Sequence, residues 1–287
     1  MTYGGIEAGG TKWVCAIGDG PDALREVATI PTTTPAETLE AAAAFFSRQG
    51  GLEALGVGSF GPVDLARGSI TTTPKPGWAN TDVVGTLKAA LDVPIAFDTD
   101  VNAAALGEHR WGAAVGLETF CYVTVGTGIG GGGMANGQLM HGLLHPEVGH
   151  IRIPHDRKRD PFAGACPYHG DCFEGLASGG AIRARWSRPP EELDDESAWE
   201  LEAGYLAHGL MNVIAVLSPQ RVIVGGGVMK RPNLLALVRA RAAGLAAGYF
   251  DAVELSASID DYIVPPALGD RAGVIGALEL ARTAARL

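Results

Sequence analysis

Short apolar and β-branched runs alternate with longer stretches of helical periodicity along the chain. Tyr3–Ala8 and residues 13–18 read as two strands joined by the turn Gly9-Gly10-Thr11-Lys12, a hairpin. Downstream, the pattern predicts a helix over 35–48, a buried strand over 54–59, a helix over 81–91, a strand over 94–97 and a helix opening near Asp100. The opening motif then recurs: a strand at Phe120–Val125, the turn Gly126-Thr127-Gly128 and a glycine-rich strand over 129–135. Asn136-Gly137, a pair favoured in tight hairpin turns, leads to a return strand over 138–141. An irregular stretch rich in His, Cys, Asp and Pro follows, then a long apolar helix over 201–217, a strand over 221–224 and a last helix over 273–284. Alternating strands and helices predict α/β layers, and two halves that each open strand, Gly-Thr turn, strand point to an internal duplication. The boundary between the halves falls near residues 111–118.

Composition sharpens this picture. A length of 287 residues suits two domains, and 47% hydrophobic with 19% charged residues excludes a disordered chain. Glycine, at 41 residues, is about twice its usual share and clusters at 9–10, 126–133 and 225–227, where backbone is brought close to something. The net charge is −10, and the one basic run, Arg157-Lys158-Arg159, is flanked by Asp on both sides, so no phosphate-neutralising face for nucleic acid is expected. The first residues lack the basic and apolar regions of a signal peptide, and no apolar stretch approaches membrane-spanning length. The expectation is a soluble, cytoplasmic protein without a membrane partner. Four cysteines are too few for a disulfide scaffold, and closely spaced ones read better as metal ligands or redox groups.

Gly126-Thr-Gly128-Ile-Gly-Gly131 satisfies G-x-G-x-x-G, with Glu147 roughly 20 residues on, but the following segment reads as strand and turn where a dinucleotide fold needs a helix. No G-x-x-x-x-G-K-[ST] string occurs. What remains is a pair of glycine-rich hairpin turns, each with a Thr, able to aim backbone N–H groups at phosphate oxygens. Gly225-Gly226-Gly227 ends a third buried strand, a place where α/β sheets bind ligands. Asp98-Thr99-Asp100-Val101-Asn102 joins a strand to an Ala-rich helix, so Asp100 suits a base for phosphoryl transfer to an alcohol and equally suits a helix N-cap. Cys166-x-x-His169-x-x-Cys172 offers three ligands for a tetrahedral zinc ion, with His150 or His155 as the fourth; a closed set of four makes the zinc structural. His109, His141, His145 and His208 show no comparable spacing and receive no role. Cys15 and Cys121 fall inside strands and read as core, and the acidic run over 191–196 reads as a solvated helix start.

Taken together, Glu7-Ala-Gly9-Gly10-Thr11-Lys12, Val125-Gly126-Thr127-Gly128-Ile129-Gly130, Glu147-Val-Gly149-His150, Cys172-Phe-Glu174-Gly175 and Val224-Gly225-Gly226-Gly227 resemble the successive motifs of the ROK family of sugar kinases and repressors. The resemblance runs nearly end to end. Gly58-Ser-Phe60-Gly61-Pro62-Val63-Asp64, Thr72-Thr-Pro-Lys-Pro-Gly77-Trp78 and the Cys/His string look most like the bacterial fructokinase branch. Glu7, where most of the family has Asp, is shared with that branch, and Thr99-Asp100 replaces the family's usual Asn-Asp pair. The resemblance implies a duplicated actin-like ATPase (ribonuclease H-like) fold, two lobes with a central cleft. Residues 1–113 would form the sugar and base side and 114–287 the nucleotide and zinc side, the last helix packing back on the first lobe. It further implies Asp100 as catalytic base, with Asp98 a supporting or metal-side carboxylate. Gly61, Pro62, Thr99, Glu147, His150 and Glu174 would hold the sugar, and Gly9, Gly10, Thr11, Lys12, Gly126, Thr127, Gly128, Gly225, Gly226 and Gly227 the ATP. The family pattern picks His150 beside Cys166, His169 and Cys172 for a structural Zn²⁺. Mg²⁺ would accompany ATP, the hexose would be D-fructose in preference to glucose or mannose, and the chain would be a homodimer. The repressors of the family carry an N-terminal DNA-binding domain, for which a first strand at Tyr3 leaves no room.

Overall fold

A computed structural model describes residues 2–286 and divides them into two compact units, each built around a five-stranded sheet. Unit 1 opens with β1 (Tyr3–Ala8), β2 (Lys12–Gly18) and β3 (Leu24–Pro31), an antiparallel meander. Helix α1 (Pro35–Ser47) starts at a capping box, with the Thr34 hydroxyl and the Glu37 side chain bonded to each other's backbone and Pro35 in the first turn. It leads to β4 (Ala54–Ser59), which pairs parallel to β1. A small sheet of β5 (Val63–Asp64), β6 (Ser69–Ile70) and β7 (Thr81–Asp82) intervenes before α2 (Val83–Leu91) and β8 (Ile95–Thr99), parallel to β4. The expected helix over 81–91 therefore starts two residues late, because Asp82 caps it by accepting from Gly85 N. Then comes α3 (Asp100–Trp111). The core of this unit includes Trp13 and Trp78, both fully buried with ring centres 5.7 Å apart.

Unit 2 repeats the order. Strands β9 (Phe120–Val125), β10 (Ile129–Ala135) and the short β11 (Gln138–Leu139) form its meander. After α4 (Phe173–Ala177), α5 (Gly179–Trp186) and α6 (Glu196–Leu217), β12 (Val222–Gly225) pairs parallel to β9. Helix α6 begins at the acidic run, as the charge pattern suggested: Asp195 caps it by accepting from Ser197 N and Ala198 N. Helices α7 (Leu234–Ala246) and α8 (Ile259–Tyr262) precede β13 (Ile263–Val264), parallel to β12. The two sheets have the orders β3-β2-β1-β4-β8 and β11-β10-β9-β12-β13, the same arrangement twice. The last helix, α9 (Ala272–Ala284), belongs to unit 1, where its buried residues pack against β1, β4 and α3. Contact is so close that a Cβ on Gly56 would lie 1.9 Å from Ala277 O and one on Gly276 would lie 1.6 Å from Ala103 O.

Of the described residues, unit 1 comprises 2–116, Leu139–His145 and 267–286, and unit 2 comprises Leu117–Gln138 and Pro146–Pro266. The expected return strand over 138–141 stops at Leu139, because the next residues turn away to partners in unit 1. Among the described residues no helix is long and apolar enough to cross a membrane.

Candidate active site

In unit 1 the parallel strands β4 and β8 end together, and the chain passes straight from β8 into α3. Thr99, not Asp100, is the cap of α3: its hydroxyl accepts from Asn102 N at 3.1 Å. That leaves the Asp100 carboxylate in the first turn, where the helix N-terminus favours negative charge and Val101 N donates to Oδ1 at 2.9 Å. The cap uses a lone pair of the Thr99 hydroxyl, whose proton can still be donated to a ligand. Asp98 is buried, and its Oδ1 accepts from Thr99 N at 2.7 Å and Asn102 Nδ2 at 2.9 Å. Asp98 therefore orients both residues that flank the Asp100–Val101 pair.

The first glycine turn closes through Gly9 N donating to Lys12 O at 3.0 Å and is braced by Thr32, whose hydroxyl donates to Gly9 O and whose N–H donates to Thr11 O. Glu7 lies just before it, facing the start of α9, where a Cβ on Gly273 would come 2.4 Å from its Cδ. Burial raises the Glu7 carboxyl to about 7, opposed by the positive charge of Lys12 and a backbone bond from Val274. In unit 2 the Gly126-Thr127-Gly128 turn is held from behind by α5, with Gly179 N donating to Gly126 O and Gly180 N to Thr127 O. In the third cluster Gly226 has φ +97°, and a Cβ there would lie 2.4 Å from Val125 O, so packing and backbone both require glycine. Gly10, Gly126 and Gly227 differ: none has a positive φ, and a Cβ on any of them meets nothing within 4 Å. Neither packing nor conformation within the chain accounts for them, and each leaves main chain open to a ligand.

The loop between β11 and α4 gathers His150 Nδ1, Cys166 Sγ, His169 Nδ1 and Cys172 Sγ within 4.8 Å of one another. Tetrahedral zinc, with bonds of about 2.3 Å to sulfur and about 2.0–2.1 Å to nitrogen, puts sulfur and nitrogen about 3.6 Å apart and two nitrogens about 3.3 Å apart. The chain places His150 Nδ1 at 3.7 Å from each sulfur and at 3.3 Å from His169 Nδ1, so the residues fit a four-ligand metal site. His155 is engaged elsewhere, its Nδ1 3.1 Å from Asp171 Oδ2 and its Nε2 3.0 Å from Asp160 O. The His155 bond first, then Arg157, hold the Asp171 carboxyl down at about 2. Glu174, on α4, accepts from Ile129 N at 2.9 Å and so ties the metal loop to the glycine hairpin of the same unit. Glu147 lies 3.9 Å from His150 Nε2; although its side chain is 38% exposed, burial and then the charge of Glu174 lift its carboxyl to about 7.

Two histidines given no role in the sequence are engaged with Asp98 and Val63 of unit 1. His141 Nε2 lies 2.9 Å from Asp98 Oδ2, and His145 Nε2 accepts from Val63 N at 3.0 Å, beside Gly61 and Pro62. The only sequence hint is their placement just before Pro146-Glu147. Cys15 and Cys121 are core, their thiols pushed up to about 12 by burial. A cavity of about 470 Å³ in unit 2, lined by α6, α7 and residues of 154–159, contains none of the residues named for sugar or nucleotide.

Comparison with known proteins bears on the family and the fold. The ROK family model matches residues 3–284. The fructokinase of Zymomonas mobilis is 48% identical over 98% of this chain and 97% of its own length, and the fructokinase of Lactococcus lactis subsp. cremoris is 42% identical over 92% and 91%. Among solved structures, a ROK family glucokinase from Streptomyces griseus in complex with glucose and AMPPNP superposes with a TM-score of 0.81 at 26% identity, covering 99% of this chain and 100% of that one. Matched over nearly its whole length by the family model and by these relatives, the chain belongs to the ROK family, with its actin-like ATPase fold.

Proposed function

We propose that the chain is a cytoplasmic fructokinase that transfers the γ-phosphoryl group of ATP to D-fructose, giving fructose 6-phosphate. The observation that carries this reading is the trio Gly10, Gly126 and Gly227, open glycines at the ends of sheet strands that no contact within the chain explains. Backbone N–H groups there are suited to phosphate oxygens, with Thr11, Thr127 and Lys12 beside them. The 39–48% identity of the curated fructokinases supports fructose over the other hexoses, since the matched glucokinases stand near 27%.

Asp100 accepts the proton of the attacking hydroxyl as its oxygen bonds the γ-phosphorus and the bond to ADP breaks. Gly61, Pro62, Thr99, Glu147, His150 and Glu174 hold the remaining hydroxyls. Glu174 Oε2 accepts from Ile129 N, which leaves Oε1 and one lone pair of Oε2 for a sugar hydroxyl. Mg²⁺ bound with the nucleotide supplies positive charge to the transferring group, beyond what Lys12 offers. A structural Zn²⁺ held by His150, Cys166, His169 and Cys172 braces the loop that carries Glu147 and Glu174. The active form in this reading is a homodimer.

A coupled assay of sugar-dependent ADP release over a hexose panel tests the proposal. Fructose should exceed glucose in kcat/KM by about 10²-fold, because a mismatched hydroxyl leaves a carboxylate without its partner. Equal efficiency with glucose or mannose would move the assignment within the family, and no release with any hexose or N-acetylhexosamine would overturn it.

A further inference from the structure

Residues Leu139–His145 pack with unit 1, although the chain up to Gln138 and from Pro146 onward packs with unit 2. Apolar burial holds little of the segment, since Leu143 is fully exposed, Leu144 is 58% exposed, and Leu139 and Met140 are only partly buried. Its internal order is one tight turn, Gly142 N donating to Leu144 O at 2.7 Å. Two histidines, one on either side of that turn, bond it to unit 1.

Each histidine meets a segment that this reading assigns to the sugar. Oδ1 of buried Asp98 is taken by Thr99 N and Asn102 Nδ2, and the partners of Oδ2 among the described residues reduce to His141 Nε2 at 2.9 Å. Nε2 must donate, because a carboxylate only accepts; Asn102 Nδ2, 3.2 Å away, is itself a donor. Without His141 a buried carboxylate oxygen loses its protein partner, and Asp98 would rotate or draw in water, disturbing Thr99 and Asn102 around Asp100. His145 has the opposite tautomer: Val63 N can only donate, so Nε2 is bare. Its ring lies against the preceding loop, where a Cβ on Gly61 would be 3.4 Å from His145 Cε1.

We propose that Leu139–His145 is a positioning strap, with His141 setting the Asp98–Asn102 junction that carries Asp100 and His145 setting the Gly61-Pro62-Val63 loop. The proposal rests on the sugar-kinase reading and adds two positioning residues to it. Misplacement of a reacting group by about 1 Å costs on the order of 10²-fold in rate, which sets the scale for a lost strap contact.

The test combines kinetics with a measurement independent of activity. Nitrogen-15 NMR of the histidine-labelled whole chain should find the proton of His141 on Nε2 and that of His145 on Nδ1; the reverse tautomer at either ring overturns the docking, whatever the substrate. His141→Ala should lower kcat with fructose roughly 10- to 100-fold with KM for ATP unchanged, and His141→Gln, which keeps a donor, should recover most of it. His145→Ala should raise KM for fructose about 10-fold, with recovery in His145→Gln, which keeps an acceptor. An equal loss of ATP and fructose parameters, no loss, or no recovery in the glutamine variants would overturn the positioning role. If the wild type phosphorylates no sugar, the sugar-kinase reading fails and the positioning claim fails with it, while the tautomers alone decide the docking.

Discussion

The two glycine hairpins join equivalent strands and differ in how the turn is closed and supported: Gly9 N donates to Lys12 O, whereas Gly126 N donates to Gly128 O. In unit 1 the turn is braced by a strand residue, Thr32, with a carboxylate, Glu7, and an ammonium, Lys12, at its edges. In unit 2 the turn is braced by the N-terminus of α5 and by Glu174 from the metal loop, and Thr124 stands where β1 has Glu7. A duplicated sheet thus reuses one way of exposing main chain, while the charges and the braces around it have diverged. The difference teaches that strand topology is the shared part, and that the charge response of the first turn should rest on Glu7 while a response to metal removal should belong to unit 2.

The largest expected effect lies in unit 1. Asp100→Asn should keep the fold and nucleotide binding while lowering turnover roughly 10²–10⁴-fold, the range for a positioned base; steady-state kinetics with intact near-ultraviolet circular dichroism checks it, and near-wild-type turnover would sink the assignment. Next comes metal removal. Stripping the ion with a chelator should destabilise the 146–177 loop and weaken fructose binding, because binding energy at such a site is folding energy for the loop it closes. Hydrogen exchange by mass spectrometry should show the loss in unit 2 and little change in β1–β3; less than about half an equivalent of zinc in gently purified protein would argue against the site.

The third prediction concerns pH and the Glu7 difference. Burial holds the folded-state carboxyl near 7 against an ordinary 4.5, so between those values the unfolded chain releases its proton first. Stability should fall as pH rises from about 4.5 to about 7, by on the order of 3 kcal/mol in total, and then level off. Urea unfolding at pH 5 and pH 8 measures the slope, and Glu7→Gln should reduce it, the remainder belonging to groups such as Glu147; an unchanged slope would separate Glu7 from the effect. The smallest effects test the open glycines. Gly10→Ala, Gly126→Ala and Gly227→Ala should melt within about 2 °C of the wild type yet raise KM for ATP about 10-fold, since the added methyl occupies ligand space. Gly226→Ala, one residue away, should instead lose stability by about 1–3 kcal/mol from its positive φ and its clash with Val125 O. Identical behaviour of the two neighbours would break the distinction.

By itself the sequence determined the hairpins, the strand-to-helix placement of Asp100, the duplication and the spacing of Cys166, His169 and Cys172. Those features are local: strand and turn chemistry acts over a few residues, and three ligands within seven positions can close on an ion with little help from the rest of the chain. The small strands β5–β7, too short to show a period, were not legible in this way. Spacing alone left His150 and His155 open, whereas the structure has the His155 ring engaged by Asp171 and Asp160, and the cap of α3 passed to Thr99 only once backbone angles were known. Tertiary structure alone decided the roles of His141 and His145. Their partners lie 43 and 82 residues away in the chain, and a hydrogen bond closed across so long a loop leaves no periodicity or spacing by which a sequence could announce it.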